Sequence, residues 1–186
     1  MKVTKTALKD CFIIEPTVFF DERGCFFESY HHTKFTKTTG QEICWIQDNQ
    51  SVSSKGVLRG LHYQRGKYQQ AKLVRVIQGE VLDVIVDIRP DSKTYGQYIK
   101  EILNDRNQKQ IFIPKGFAHG FLVLSNTAIF SYKCDNYYNK EAEGGIIYND
   151  YELNIEWNLE GIENLIISEK DLCLPSFKHH LPICEF

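Results

Sequence analysis

The chain has 186 residues and a formal net charge of −2, which allows one sizeable core and gives no general electrostatic drive toward nucleic acid or an anionic membrane. Aromatic residues make up 13% of it, with only 5 Pro and 12 Gly, a composition that excludes a disordered chain and favours strands over helices. Any anion it binds must therefore meet a local cluster of Arg and Lys.

Residues 1–10 mix polar and apolar side chains and the apolar run 11–14 is short, so no signal peptide is expected. Asp83 and Asp87 interrupt even the apolar segment 81–88, and no run has the length of a membrane span. The six cysteines, Cys11, Cys25, Cys44, Cys134, Cys173 and Cys184, are scattered and form no Cys-x-x-Cys. They read as reduced thiols, most of them buried, in a soluble cytoplasmic protein whose residues 1–186 form one domain.

In chain order, residues 13–20 alternate imperfectly and end at the turn Asp21-Glu22-Arg23-Gly24, after which 25–30 reads as a second strand. Arg23 and Glu28 flank that run and, taken alone, are surface charges. Thr33 is a candidate cap for a short helix that Gly40 ends, with His31 and His32 just before it. Gln47-Asp48-Asn49-Gln50 is a dense row of side chains beside a strand, three of them amides; amides donate and accept, so they suit a sugar or base edge, and equally a loop.

Segment 57–63 reads as a strand in which period-2 parity puts Leu58 and His62 on one face, Arg59 and Leu61 on the other. If Arg59 and His62 serve one site, something must break parity, and Gly60 is the natural place for a bulge. Runs 72–77 and 81–88, separated by Gln78-Gly79-Glu80, read as a hairpin. Lys72 shares a face with Val74 and Val76, so a barrel would carry its ammonium inward, at a cost unless the charge is paired or used. At a strand mouth it would instead reach water.

Strands are expected over 99–103 and 127–134, the latter carrying Tyr132. Between them Pro114 and Gly116 mark a sharp turn, beyond which His119, Phe121 and Val123 share a face. Segment 137–145 is a loop with two aromatics and two carboxylates, Tyr138 and Glu143 among them. Ser168-Glu169-Lys170-Asp171 has capping-box spacing, and Pro175 leaves room for little more than a turn there. Many short strands and almost no helical periodicity predict an all-β fold, a sandwich or barrel of antiparallel strands.

His62, set three residues from Arg59 between glycines, is the default candidate for a general base, against the alternative of a core histidine bonded to backbone. Gly56, His62 and Gln64 follow a metal-binding cupin's first motif with its second histidine missing, and Pro114, Gly116 and His119 follow its second motif. Too few ligands remain for a tight metal site.

Arg23-Gly24-x-Phe26, Gln47-Asp48-Asn49, Gly56-Val57-Leu58-Arg59-Gly60-Leu61-His62-Tyr63-Gln64, Lys72-Leu73-Val74-Arg75, Ile113-Pro114-Lys115-Gly116-Phe117-Ala118-His119-Gly120-Phe121, Tyr132-Lys133 and Ser168-Glu169-Lys170-Asp171 together make the chain resemble the dTDP-4-dehydrorhamnose 3,5-epimerases of dTDP-L-rhamnose synthesis. The resemblance implies a double-stranded β-helix, a cupin-like jelly-roll barrel with short flanking helical segments. It implies a dTDP-linked 4-keto-6-deoxy-glucose as substrate, no redox cofactor and no metal, and a homodimer. His62 would be the base and Asp171 its orienting partner, Tyr132 the acid on the opposite face of the ring, and Lys72 the group that meets the oxyanion at O4. Arg23, Glu28, Gln47, Asn49, Arg59, His119, Glu143 and Lys170 would bind sugar, diphosphate and nucleotide, with Phe26 and Tyr138 walling the ligand. The competing readings are an enzyme that epimerises C3 or C5 alone, a 3,4-ketoisomerase on the same scaffold, and a non-catalytic jelly roll that binds a sugar nucleotide.

Overall fold

Runs rich in Val, Ile, Phe and Tyr become strands in the computed structural model, which describes residues 1–184. In chain order these are β1 (Lys2–Lys5), β2 (Phe12–Glu15), β3 (Phe19–Asp21), β4 (Gly24–Phe26), helix α1 (His32–Thr39), β5 (Gln47–Ser54) and β6 (Leu58–Gln64). They continue as β7 (Lys72–Gln78), β8 (Glu80–Asp87), β9 (Tyr98–Asn104), β10 (Gln110–Ile113), β11 (Phe117–Val123), β12 (Thr127–Cys134), β13 (Glu143–Gly145) and helix α2 (Glu169–Leu172). One sheet has the order β1-β2-β10-β7-β12-β5, the other β13-β6-β11-β8-β9, while β3 and β4 form a ribbon of their own. Neighbouring strands are antiparallel throughout. This is the jelly-roll barrel expected from the sequence.

Alternation along each strand decides what fills the barrel. Val74, Val76, Ile111, Ile113 and Phe130 come from the first sheet and meet Val81, Ile85, Phe117, Phe121 and Val123 from the second in one buried cluster. Each such side chain contributes about 1.5–3 kcal/mol by leaving water. The outer face of the second sheet is covered by the C-terminal segment through Leu153, Trp157, Phe177 and Ile183. α1 closes part of the first sheet's outer face by laying Phe35 against Phe12, Leu73 and Phe112.

Several sequence expectations change. The segments 72–77 and 81–88 are strands but not a hairpin: β7 pairs with β10 and β12, and β8 with β9 and β11. The link Gln78-Gly79-Glu80 is a corner that carries the chain from one sheet to the other. Gly79 sits there at φ 83, and a Cβ on it would stand 2.1 Å from the Thr127 carbonyl oxygen, so the corner needs glycine. Pro16 lies between β2 and β3, which divide the expected run 13–20. Of 25–30 only Cys25 and Phe26 are in a strand. Gln47, Asp48, Asn49 and Gln50 lie within β5 itself rather than beside a strand.

α1 ends at Gly40 as expected, but its N-cap is His31, whose side chain accepts from the Lys34 N–H, and not Thr33. Of the six cysteines, only Cys11 and Cys134 are buried; the other four are exposed, because they fall in the ribbon and in loops, and all six are free thiols. Among the described residues no helix is long and apolar enough to cross a membrane.

Candidate active site

The parity problem at Arg59 and His62 is solved on β6. In the pairing with β11, His62 faces His119 and Arg59 faces Phe121, and the register shifts between them, so β6 holds one residue more than its partner over that step. Gly60 is that residue's hinge, with φ 118, and a Cβ there would meet the Gly120 Cα at 2.6 Å. The bulge turns Arg59 and His62 toward the same cavity, of about 550 Å³, which Lys72, His119, Tyr132, Lys170 and Asp171 also line. A smaller recess of about 140 Å³ shares His62, Lys72 and Tyr132 and is walled by Gln47, Asn49, Tyr138 and Glu143.

His62 Nε2 lies 2.8 Å from Asp171 Oδ1. The carboxylate thus accepts from Nε2–H and leaves Nδ1 as the lone-pair nitrogen, the arrangement a general base requires. Asp171 comes from α2, a single turn capped by Ser168, whose hydroxyl accepts from the Asp171 N–H at 3.1 Å. At the third helical position Asp171 would close a capping box by reaching back. Its Oδ2 instead accepts from the Gly60 N–H at 3.1 Å, across the site. Burial alone would raise the Asp171 pKa; the hydrogen bond from His62, its charge, the Gly60 N–H and Ser168 outweigh burial and hold it below the usual carboxylate value.

Lys72 is partly accessible through the cavity mouth yet surrounded by protein, and desolvation lowers its pKa against the pull of Cys134, Asp83 and Glu143. Its Nζ stands 5.8 Å from the centroid of the Tyr132 ring, within range of a cation–π contact. The Tyr132 hydroxyl is held protonated, its pKa raised chiefly by burial, then by Cys134 and Glu143, with Arg59 opposing. A base and a protonated phenol therefore wall one recess on two different strands, with an ammonium in the same lining.

The remaining polar wall is pre-organised by its own hydrogen bonds. Gln47 Nε2 donates to Asn49 Oδ1 at 3.0 Å, and the Tyr138 N–H to Gln47 Oε1 at 3.0 Å. Tyr138 OH donates to Glu143 Oε2 at 2.8 Å, and Lys170 Nζ reaches the same oxygen at 2.5 Å. Burial opposes ionisation of Glu143, but the hydrogen bonds from Lys170 and Tyr138 and the charges of Lys170 and His62 lower its pKa. Arg59 Nε and Nη2 each donate to Ser53 Oγ at 3.2 Å, which aims the guanidinium without neutralising it.

The model of the dTDP-4-dehydrorhamnose 3,5-epimerase family matches residues 5–179. The chain belongs to this family. The enzyme of that name from Salmonella typhimurium is 50% identical over 175 residues, 94% of each chain. The crystal structure of the Elizabethkingia anophelis enzyme superposes with a TM-score of 0.91 at 55% identity, covering 96% of this chain and 97% of that one. A dTDP-6-deoxy-D-glucose-3,5-epimerase from Legionella pneumophila, solved in complex with dTDP-4-keto-L-rhamnose, superposes with a TM-score of 0.92 at 46% identity, covering 96% and 93%. The chain is thus an isomerase, a carbohydrate epimerase.

Three of the residues expected in this epimerase's site lie outside both cavities. Arg23 is exposed on the β3–β4 ribbon and pairs with Asp21 at 2.5 Å. Phe26, on the same ribbon, is 70% exposed, and Glu28 is paired with Lys34. Conversely, sequence reasoning missed Ser53, which holds Arg59, and Asp83, whose Oδ2 lies 2.8 Å from His119 Nε2. For Ser53 there was no signal. Asp83 had one, an acid in the middle of a strand whose other interior positions, 81–86, are all apolar.

Proposed function

We propose that this chain inverts C3 and C5 of a dTDP-linked 4-keto-6-deoxy-glucose. The C4 ketone acidifies the hydrogens on both neighbouring carbons, so each inversion needs a base, a place for negative charge on O4, and an acid on the far face of the ring. His62 Nδ1 takes the proton while Asp171 holds the ring by Nε2; a base so placed supplies about 10²–10⁴-fold. The electrons of the broken C–H bond pass to O4, where Lys72 meets the enolate oxygen. Tyr132 then returns a proton to carbon from the opposite face, and the two groups exchange protons with water before the second carbon reacts. Gln47, Asn49, His119, Tyr138, Glu143 and Lys170 bind the ligand in the two cavities, and Arg59 suits phosphoryl oxygens. The observation that carries this reading is the recess shared by His62, Lys72 and Tyr132, together with near-full-length identity to enzymes of this name.

The site is completed, in this reading, by a second copy of the chain. The ribbon of β3 and β4 leaves Phe19, Phe20 and Phe26 61%, 79% and 70% exposed, and it holds Arg23 beside them, away from its own protomer's cavity. In a homodimer the ribbon of one protomer reaches the cavity of the other, so that Arg23, Phe26 and Glu28 meet the nucleotide there. Residues 1–186 act as one epimerase domain in the cytoplasm, where sugar nucleotides are made.

Purified protein incubated with dTDP-4-keto-6-deoxy-glucose in D₂O, followed by NMR, tests the reaction. Deuterium is expected at both C3 and C5, and His62→Ala loses this exchange by about 10²–10⁴-fold while still binding dTDP. Deuterium at one carbon alone would make it a mono-epimerase, and movement of the ketone to C3 an isomerase.

A further inference from the structure

The loop between β12 and β13 carries Tyr138, and two amides that line the recess decide where it sits. Gln47 lies on β5 in the first sheet and Gln64 on β6 in the second. Gln47 Oε1 accepts from the Tyr138 N–H at 3.0 Å, and Gln64 Oε1 accepts from the Asn139 N–H at 2.9 Å. Two consecutive backbone donors are thus bound by side chains from opposite sheets, and the loop bridges the two. A backbone N–H can only donate, so both amides present oxygen to the loop.

Gln64 stands where a metal-binding cupin has its second histidine, two residues beyond His62, and it is 6% exposed. A buried amide opposes stability unless its polar atoms are used. Here the oxygen is used on the loop. The cross-strand partner of Gln64 is Glu143, which accepts from the Tyr138 hydroxyl at 2.8 Å. Tyr138 is therefore held at its hydroxyl by Glu143, at its own N–H by Gln47 and through the next N–H by Gln64, while the residue stays 51% exposed. Asn139 Oδ1 accepts from the Glu141 and Ala142 N–H groups at 2.9 and 3.1 Å, so the residue that Gln64 grips also sets the turn into β13. The other end of the loop is anchored separately. Gln70 Nε2 donates to the Asn136 carbonyl at 2.8 Å, and Asn136 Nδ2 to the Lys67 carbonyl at 2.7 Å. Removal of the Gln64 oxygen therefore frees the Tyr138 stretch without detaching the loop.

We propose that Gln64 is a positioning residue for ligand binding: by fixing the Asn139 N–H it holds Tyr138 as a wall of the recess before the ligand arrives. The proposal rests on the epimerase reading above, in which Tyr138 meets the ligand. Gln64 acts through the loop and moves no proton. When a wall is in place only part of the time, the ligand binds more weakly in proportion to that fraction. The consequence falls on affinity rather than on the chemical step.

The test uses the full chain, Gln64→Met, which keeps the side chain's length and removes the acceptor, Tyr138→Ala, and the double variant. Calorimetry gives the dTDP affinity, steady-state kinetics on dTDP-4-keto-6-deoxy-glucose give kcat and KM, and ¹⁵N NMR follows exchange of the Asn139 amide. In Gln64→Met that amide should exchange about tenfold faster or more, and Kd and KM should rise about tenfold with kcat within about threefold of wild type. In the Tyr138→Ala background the same substitution should change Kd by less than about twofold, because the residue it positions is gone. A merely structural Gln64 would lower the melting temperature and leave Kd within about twofold, or weaken binding by the same factor with and without Tyr138. Either result overturns the proposal. So does an unprotected Asn139 amide in ligand-free wild type, which decides the question even if the variant does not fold. Wild type that binds no dTDP would overturn the epimerase reading together with the proposal, whereas tight binding by wild type with an unchanged Kd in Gln64→Met would overturn the proposal alone.

Discussion

Lys72 is an ammonium enclosed by protein, with no ion pair among the described residues. Its sequence position between strand neighbours that face the core already posed the choice between a snorkelling lysine and one that is used; the geometry puts it with His62 and Tyr132 in the lining of one recess. Burial lowers its pKa, so between that lowered value and the ordinary 10.5 the unfolded chain binds more protons and stability rises with pH. Lys72→Met should therefore melt higher than wild type at pH 7, by an advantage that narrows as the pH approaches 10.5, while kcat falls about 10²-fold. Calorimetry across pH 7–10 with parallel assays checks both halves. A variant that melts lower and turns over normally would show that the ammonium is only a surface charge.

At the scale of elements, what the sequence made legible followed from periodicity, and what it hid followed from sheet membership. β12 occupies the expected 127–134, because a run of Ala, Ile, Phe and Tyr at alternate burial has one solution. β7 and β8 were equally legible as strands, yet their pairing was misread. A short Gly-containing link suits a hairpin, and only contacts with β10, β11 and β12, distant in the chain, show that it is a corner between sheets. Gly60 was legible for the opposite reason. Two polar residues of wrong parity flanked a glycine, and a bulge was the simplest remedy, which the register against β11 bears out. The His62–Asp171 contact spans a sequence separation of 109 residues, so it could enter only through resemblance to a family, never through spacing.

For the whole molecule, the ribbon formed by β3 and β4 is the part that one protomer does not explain. It exposes three phenylalanines and is paired to neither large sheet, an arrangement suited to a partner surface. If its Arg23 serves the neighbour's cavity, Arg23→Ala and His62→Ala chains are each inactive alone but complement one another. Co-expressed in equal amounts, they should recover about one quarter of wild-type activity, since half of the dimers are hybrids and each hybrid has one intact site. Recovery of no activity from a dimeric mixture would place Arg23 and His62 in the same protomer's site, or in none.

His62 and Tyr132, in the proposed mechanism, act on opposite faces of the sugar, one removing protons and the other returning them. Following both C–H exchange and product stereochemistry in Tyr132→Phe tests that division of labour in a single variant. Exchange at C3 and C5 in D₂O should persist, because the base is untouched, while formation of the inverted sugar slows by about 10²-fold or more. Inversion at the wild-type rate in this variant would contradict the mechanism, and would require the proton to come from another group.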